Sequence, residues 1–267
     1  MPEQKDIVYI YDGTFLGFLC CVFESFSEKE IPFDIYPIQF HFPSLYQEKY
    51  IETDLNKAAR VEKWIQCDFS AESKSLLQEA FLSIMEQKEY HLLQFMHLYR
   101  INKNKTTSML QNPSVLTLNK ALVTIRREAS KWIGLLRFID YNGVLVAIID
   151  PKTFILPLLQ QHFCDRYSTE RFFIFDETNK VGLLSEYGVG KLIETDSFEL
   201  PQTTMAEITL QELWKTFVHT IAIKERTNPH LQMNMMPKRY WKHLVELQQT
   251  QLKGGNILTL KDNKRDT

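Results

Sequence analysis

The chain has 267 residues, of which 44% are hydrophobic, 12% are aromatic and 24% are charged. This composition supplies enough apolar material for a packed core and excludes a generally disordered chain. The formal net charge of -2 excludes a globally basic nucleic-acid-binding domain, so any site for a polyanion has to be a local patch.

The cysteines and the N-terminal residues indicate the cellular compartment in which the protein is expected. Cys20 and Cys21 are adjacent, and Cys67 and Cys164 stand alone, so the C-x-x-C spacing of zinc and redox motifs is absent. No charged start followed by an apolar run marks a signal peptide, and no stretch of about 18 apolar residues predicts a membrane span. The sequence therefore predicts a cytoplasmic protein with mostly buried thiols and no membrane contact.

The N-terminal half is predicted to be largely helical. Ile7–Tyr11 has the composition of a short strand, and the turn Asp12-Gly13-Thr14 leads into a helix with apolar residues from Phe15 to Phe26. A strand that enters a helix at a glycine can bind an anion there, but an ordinary tight turn is the competing interpretation. Helical periodicity then extends from about 54 to 132, interrupted by a polar loop at 102–108, and defines a helical subdomain.

A β-rich region follows. Runs at 135–141 and 144–149 flank Asn142-Gly143, which is a strong hairpin signal. A helix over 154–167, with Pro157 in its first turn, precedes a second hairpin formed by runs at 171–175 and 181–185. The predicted fold class is α+β, with an antiparallel sheet built from two hairpins with a helix between them and packed against the helical half.

The last part of the chain is predicted to be helical. Thr209-x-x-Glu212 resembles a capping box that opens a helix with an apolar inner face, and Asn228-Pro229 is expected to end that helix. The inner face comprises Leu210, Leu213, Phe217 and Ile221. A final helix is predicted over 240–251. Residues 1–253 are expected to form one domain, and the charged stretch 254–267 is expected to be a disordered tail.

The strongest local feature is a basic and aromatic segment near the C-terminus. Between 224 and 243 the cations are Lys224, Arg226, Lys238, Arg239 and Lys242, whereas Glu225 is the one acidic residue. Tyr240 and Trp241 add two rings, and His243 follows. Cations that track phosphates beside rings that stack on bases are typical of single-stranded nucleic-acid sites. The competing interpretation is structural, in which the rings dock on the core and the lysines form a solvated face.

Arg137 is a further candidate for this site. It stands between Leu136 and Phe138 in a predicted strand, where an arginine needs a partner or a ligand. Asp140 and Asp150 are candidate partners. A ligand contact and a structural ion pair are both consistent with the pattern.

No motif assigns a reaction. The sequence lacks a nucleophile elbow, a P-loop, a dinucleotide fingerprint and a kinase motif, and no histidine spacing indicates a metal site. The acidic residues Asp12, Asp150, Asp165 and Asp176 come from distant segments, and their convergence on a metal cannot be derived from sequence. Accordingly, neither a cofactor nor a metal is evident, and the catalytic residues are unknown.

Several blocks of residues resemble a bacterial family of unknown function known as "probable DNA metabolism protein". The matching blocks are Tyr11–Phe15 with Gly17-Phe18, Leu136–Phe138, Leu156–Leu159 with His162-Phe163, Glu225-Arg226 with Asn228-Pro229, and Met236–Leu244 with Glu246. The resemblance implies a partner of a radical-SAM protein of DNA modification or repair. In some relatives the domain is joined to a uracil-DNA-glycosylase-like domain. The resemblance assigns no reaction to this domain.

These observations favour an accessory protein of DNA metabolism that binds single-stranded or damaged DNA, a repair or modification enzyme, or both. The predicted nucleic-acid-binding residues are Arg137, Arg226, Lys238, Arg239, Tyr240, Trp241, Lys242 and His243. Two alternatives stay open. One is an enzyme acting on DNA, with or without a metal, and the other is a pure protein adaptor anchored by Tyr240 and Trp241.

Overall fold

The fold was analysed in a computed structural model, which describes residues 3–40, 45–195, 198 and 204–248. The strands are β1 Glu3–Tyr11, β2 Glu30–Pro37, β3 Gln47–Tyr50, β4 Ile139–Asp140, β5 Val144–Ile149, β6 Arg171–Asp176, β7 Val181–Glu186 and β8 Val189–Glu194. The helices are α1 Phe15–Glu28, α2 Leu55–Asp68, α3 Ala71–Phe81, α4 Lys88–Asn102, α5 Pro113–Leu135, α6 Leu156–Arg166, α7 Met205–Ile221 and α8 Pro229–Met235. The mixed α and β composition and the helical N-terminal half agree with the predicted fold class.

The first sheet contains three parallel strands in the order β2-β1-β3. Helix α1 makes the crossover from β1 to β2, as a parallel pair requires. Thr14 caps α1, because its Oγ1 accepts a hydrogen bond from the N–H of Gly17 at 3.0 Å. Helices α1 to α4 and the first half of α5 enclose one hydrophobic cluster, which includes Tyr9, Phe18, Leu77 and Phe95.

The second sheet has the order β4-β5-β6-β7-β8. Both predicted hairpins are present, since β4 pairs with β5 and β6 pairs with β7 in antiparallel register. The central pair β5 and β6 is parallel because α6 crosses over between them, so the expectation of a wholly antiparallel sheet was wrong at this pair. The second half of α5 and α6 pack with this sheet in a second cluster that contains Trp132, Phe172 and Tyr240.

Three predicted boundaries in the C-terminal part are corrected. The cap of α7 is Thr204, whose Oγ1 accepts from the N–H of Glu207 at 3.2 Å, and not Thr209. Asn228 does not end a helix; its side chain caps α8 by accepting from the N–H of Leu231 at 3.0 Å. The predicted final helix is replaced by 3-10 turns at Lys238–His243 and Val245–Leu247. Residues 249–251 of that helix and the stretch 254–267 lie outside the described residues.

The predicted inner face of α7 is exposed to solvent. Its apolar side chains have exposed fractions of 58% for Leu210, 60% for Leu213, 51% for Phe217 and 59% for Ile221. Of the residues of this helix, Glu207 is buried, and its carboxylate accepts from the N–H of Asp140 at 3.3 Å. The apolar residues share one face of the helix as predicted, but each of these four side chains is more than half exposed.

Candidate nucleic-acid interface

The C-terminal segment, defined as Met236–His243, docks on the second hydrophobic cluster. The ring of Tyr240 meets Trp132 edge to face, with centroids 4.9 Å apart, and is only 1% exposed. The indole N–H of Trp241 donates to the carbonyl oxygen of Met236 at 2.8 Å, which closes the segment on itself. Because a base cannot reach the buried face of Tyr240, the predicted stacking role does not fit this residue. Trp241 is half-buried.

Arg239 is bound to a buried carboxylate. Its Nη2 donates to Glu128 on α5, which also accepts from the N–H groups of Lys152 at 2.9 Å and Thr153 at 3.1 Å. Burial alone would raise the pKa of Glu128, but these hydrogen bonds outweigh it and hold the pKa below its ordinary value. Because the charge of Arg239 is balanced inside the protein, this residue holds the segment in place.

Lys242 and His243 share a second carboxylate. Lys242 Nζ lies 3.0 Å from Asp150 Oδ2 and 3.6 Å from Glu177 Oε2, and His243 Nε2 lies 2.7 Å from Asp150 Oδ1. Burial lowers the pKa of His243 more than Asp150 raises it, so the ring is neutral near pH 7. Burial tends to raise the pKa of Asp150, but the hydrogen bonds from Lys242 and His243 outweigh burial and keep this pKa below its ordinary value. Since the ionised carboxylate of Asp150 can only accept, His243 donates to it from Nε2.

Two of the predicted cations are free to meet a ligand. Arg226, in the 3-10 turn Lys224–Arg226, and Lys238 are exposed. Within the described ranges neither has a carboxylate oxygen within 4.0 Å. Of the cations between 224 and 243 whose side chains the structure describes, Arg226 and Lys238 are thus the two without a carboxylate partner.

Arg137 has a different partner from the two that were predicted. It lies in the connection between α5 and β4, and its Nη2 donates to Glu246 Oε1 at 2.8 Å instead of to Asp140 or Asp150. Its guanidinium carbon stands 6.0 Å from the ring centroid of Trp214 on α7, and the indole N–H of Trp214 donates to Glu246 Oε2 at 3.1 Å. Glu246 thus fixes the arginine and the indole in one arrangement.

Arg137 and Trp214 both line a cleft of about 760 Å³ between α5, α6 and α7. Its other lining residues are Ile133, Gly134, Leu136, Phe138, His162, Phe163, Arg166, Tyr167, Glu207, Leu210, Gln211 and Val245. The guanidinium of Arg166 lies 5.8 Å from the ring of Tyr167. His162 is half-buried and has no hydrogen-bond partner in the part of the chain that the structure describes. The cleft therefore combines two guanidinium groups with accessible rings.

A comparison with protein families places the cleft within a known domain. The model of a family described as a domain of unknown function, DUF4130, matches residues 86–246. The chain belongs to the DUF4130 family. All the cleft-lining residues and the C-terminal segment fall inside the DUF4130 match, whereas β1, β2 and β3 precede it. No curated protein matches the chain.

The predicted turn at Asp12 is a self-contained cap outside the DUF4130 match. Asp12 Oδ1 accepts from the N–H and the hydroxyl of Thr14, each at 2.8 Å, and Oδ2 accepts from Thr53 Oγ1 at 2.6 Å. The carboxylate of Asp12 thus binds the donors of Thr14 and Thr53 next to the start of α1. This geometry agrees with the tight-turn interpretation.

Among the described residues, no three side chains of His, Cys, Asp or Glu come together as a metal site, so Asp12, Asp150, Asp165 and Asp176 do not converge there. None of the described helices combines the length and the apolar character needed to cross a bilayer.

Sequence reasoning missed three groups of the cleft: Trp214, Arg166 and Tyr167. Trp214 was passed over because the helical spacing of Leu210, Leu213 and Phe217 indicated a helix packed on the core. A signal was nevertheless present, because Trp214 lies on the same stripe, four residues after Leu210, and an exposed tryptophan is a candidate for binding. Arg166 and Tyr167 end α6, and only the fold brings them next to Arg137.

Proposed function

We propose that the chain is an accessory protein of DNA metabolism that binds single-stranded nucleic acid in the cleft. The observation that carries this proposal is that the cleft has Arg166, unpaired in the described chain, on its wall together with the rings of Trp214 and Tyr167, while Arg137 is held beside Trp214 by Glu246. Guanidinium groups hold phosphates, while aromatic faces stack on bases of any sequence. The resemblance to DNA-metabolism proteins is consistent with this ligand.

Two cations outside the cleft lining, unpaired among the described residues, extend the proposed interface. Arg226 and Lys238 are not neutralised by carboxylates in the described chain, so each can bind a phosphate without breaking an ion pair. Arg239, Lys242 and His243 would have to leave Glu128 and Asp150 first. Trp214 replaces Tyr240 as the principal stacking residue in the proposal, with a contribution of about 1–3 kcal/mol per stacked base.

The salt dependence of binding tests the proposal. The affinity for a labelled single-stranded oligodeoxynucleotide is measured by fluorescence anisotropy between low and moderate salt. In the double variant Arg166→Ala with Lys238→Ala, two phosphate contacts are lost, so the slope of log K against log salt should flatten by about 1.4. Trp214→Leu should weaken binding at every salt concentration with little change of slope.

A matched control uses cations of the same types elsewhere. Lys120 and Arg127 are exposed residues of α5 that do not line the cleft. The double variant Lys120→Ala with Arg127→Ala should keep the parental slope. If the slope of log K against log salt is the same in the parental protein and in the Arg166 and Lys238 double variant, the cleft is not part of the nucleic-acid interface.

A second candidate function is that of a protein adaptor, and the exposed apolar face of α7 favours it. Leu213 and Phe217 stand more than half exposed, and the rings of Phe217 and Trp214 are stacked with centroids 5.7 Å apart. Apolar faces of this kind are characteristic of helices that bind partner proteins. The resemblance suggests a radical-SAM enzyme of DNA modification or repair as the partner.

Titration calorimetry with that enzyme separates the two functions. An adaptor that uses α7 should lose the enzyme after Leu213→Asp and Ile221→Asp, which keep the ring contact between Phe217 and Trp214, and its affinity for the oligonucleotide should stay at the parental value. Glu212→Ala, on the exposed side of the same helix, serves as the control. Binding of the enzyme that survives both aspartate substitutions would exclude this face.

A further inference from the structure

A second cavity lies in the N-terminal half, where α1, α2 and α4 meet. This groove has a volume of about 470 Å³ and is lined by Phe23, Phe26, Ser27, Arg60, Val61, Trp64 and Arg100. An adjoining cavity of about 540 Å³ shares Phe26 and Arg100 and adds Lys29, Gln94 and His97 among its lining residues. The groove shares no residue with the cleft.

The cations of the groove have no acidic partners. The guanidinium carbon of Arg60 lies 5.0 Å from the ring centroid of Phe23, and that of Arg100 lies 5.3 Å from the ring centroid of Phe26. Both arginines are exposed, and over the described ranges neither has a carboxylate oxygen within 4.0 Å. Among the residues that the structure describes, no aspartate or glutamate lines the groove or the adjoining cavity.

Two acidic residues close in sequence to the groove lining, Glu24 and Asp68, are bound to other lysines. Glu24 on α1 lies 2.9 Å from Lys49 Nζ and 3.6 Å from Lys57 Nζ. Asp68 at the end of α2 lies 2.7 Å from Lys103 Nζ and accepts from the indole of Trp64 at 3.1 Å. Glu24 and Asp68 are therefore engaged with lysines and leave Arg60 and Arg100 unpaired in the described chain.

The aromatic rings of the groove pack against one another and against a buried ring. Phe26 meets Trp64 edge to face at 5.6 Å, and Trp64 meets the buried Phe69 in the same way at 5.0 Å. A guanidinium that lies over a ring keeps its N–H donors in its own plane and presents its other face outward. Such a plane can stack on a nucleobase while the donors bind a phosphate.

We propose that this groove binds a nucleotide unit, with the phosphate held by Arg60 and Arg100 and the base stacked on a guanidinium plane or on Trp64. The unit is either a free mononucleotide or one residue of a nucleic-acid strand, since both present the same phosphate and ring. The site is separate from the cleft and does not depend on it.

The four tryptophans allow the groove and the cleft to be observed separately. Trp64 lines the groove, Trp214 lines the cleft, Trp241 belongs to the C-terminal segment, and Trp132 is buried. The indole N–H signals of the ¹⁵N-labelled full chain are assigned with single Trp→Phe variants. They are then followed during titration with dAMP, deoxyadenosine, inorganic phosphate and a short oligo-dA strand.

The expected result is that dAMP shifts the Trp64 signal, and that deoxyadenosine or phosphate alone binds more weakly. Arg60→Ala and Arg100→Ala should each weaken the dAMP affinity about tenfold, as expected for loss of one charge-assisted contact. Arg127→Ala, an exposed arginine on α5 outside the groove, should bind as the parental chain does. Circular dichroism of each variant confirms that the helical content is unchanged.

Comparison of dAMP with oligo-dA identifies the source of the nucleotide. Tighter binding of the strand at Trp64 indicates a residue of nucleic acid, whereas equal or weaker binding indicates a free mononucleotide; both outcomes support the groove. An unshifted Trp64 signal, or parental affinity in both arginine variants, would overturn the inference. A Trp214 shift without a Trp64 shift would reject the groove and leave the cleft intact.

Discussion

Gly17 lies on α1 directly beside the carboxylate of Asp12. A Cβ at this position would stand 2.2 Å from Asp12 Oδ1 and 3.0 Å from Thr53 Oγ1. Gly17→Ala should therefore push Asp12 away from Thr14 and Thr53 and lower the free energy of unfolding by about 2 kcal/mol, even though alanine favours the helix. Urea unfolding measures this difference.

Gly134 provides the matched control for that substitution. It is also a helical glycine, the next to last residue of α5, and a Cβ there would have no neighbour within 4 Å. Gly134→Ala should leave stability unchanged or raise it by about 0.5 kcal/mol. Similar losses in both variants would mean that the space beside Asp12 does not determine the cost.

His97 should make stability depend on pH. Its Nε2 lies 2.9 Å from the hydroxyl of the buried Ser25, and burial lowers its pKa to about 4. Since the unfolded histidine binds a proton near pH 6.5 and the folded one does not, the free energy of unfolding should fall as pH decreases from about 6.5 to 4.

A comparison with His97→Gln isolates this effect from the other histidines. Between pH 7.5 and pH 5 the parental protein should lose about 1 kcal/mol more stability than the variant, a value reduced for the partial exposure of the ring. The measurement is urea unfolding at both pH values. Parallel pH profiles would show that His97 is not protonated differently in the two states.

At the scale of elements, the C-terminal segment is expected to act as a strap that holds α5 to the second sheet. Arg239 binds the buried Glu128 of α5, while the adjacent Lys238 is exposed and has no carboxylate partner in the described chain. Arg239→Ala leaves a buried carboxylate without its cation and should cost about 2–3 kcal/mol of stability. Lys238→Ala should stay within about 0.5 kcal/mol of the parental value.

This neighbouring pair separates the structural role from the binding role. The free energy of unfolding and the oligonucleotide affinity are measured on the same two variants. Lys238→Ala is expected to weaken oligonucleotide binding without a loss of stability. Arg239→Ala is expected to lower the free energy of unfolding and to keep the parental oligonucleotide affinity. A stable Arg239→Ala protein with weakened DNA binding would return Arg239 to the interface.

Local signals predicted the elements whose ends are set by a nearby capping residue, turn or proline. Thr14, the Asn142-Gly143 turn and Pro157 each act through backbone chemistry within a few residues, and the corresponding helix starts and hairpin were correctly predicted. The parallel pairing of β5 with β6 was not predictable in this way, because the crossover helix is compatible with either orientation until tertiary packing selects one.

The strands β2 and β3 were missed for a different reason. β2 contains Pro32 and Asp34, which are unfavourable in strands, but Asp34 is fully buried and accepts from the N–H of Ile35 and the side chain of Gln87. β3 is a polar edge strand without an apolar alternation. Gln87 is 53 residues from Asp34, and Glu246 is 109 residues from Arg137. Because such partners cannot be recognised from local sequence, only part of the candidate site was predicted.

At the scale of the whole molecule, α5 connects the two hydrophobic clusters. Val115, Leu118 and Leu122 belong to the first cluster, whereas Ile125 and Trp132 belong to the second. A continuous helix of 23 residues that is buried in both clusters couples their stabilities, because loss of either cluster exposes half of the helix. The predicted single domain is consistent with this arrangement.

Cooperative unfolding tests the single-domain prediction directly. The indole signals of Trp64 and Trp132 report on the first and second clusters, and their intensities in urea should decline with one common midpoint. Leu77→Ala, a truncation in the first cluster, should cost about 2–5 kcal/mol and lower the midpoint equally for both signals. A lower midpoint for Trp64 alone would show that the first cluster unfolds independently, and α5 would then be a junction between two domains.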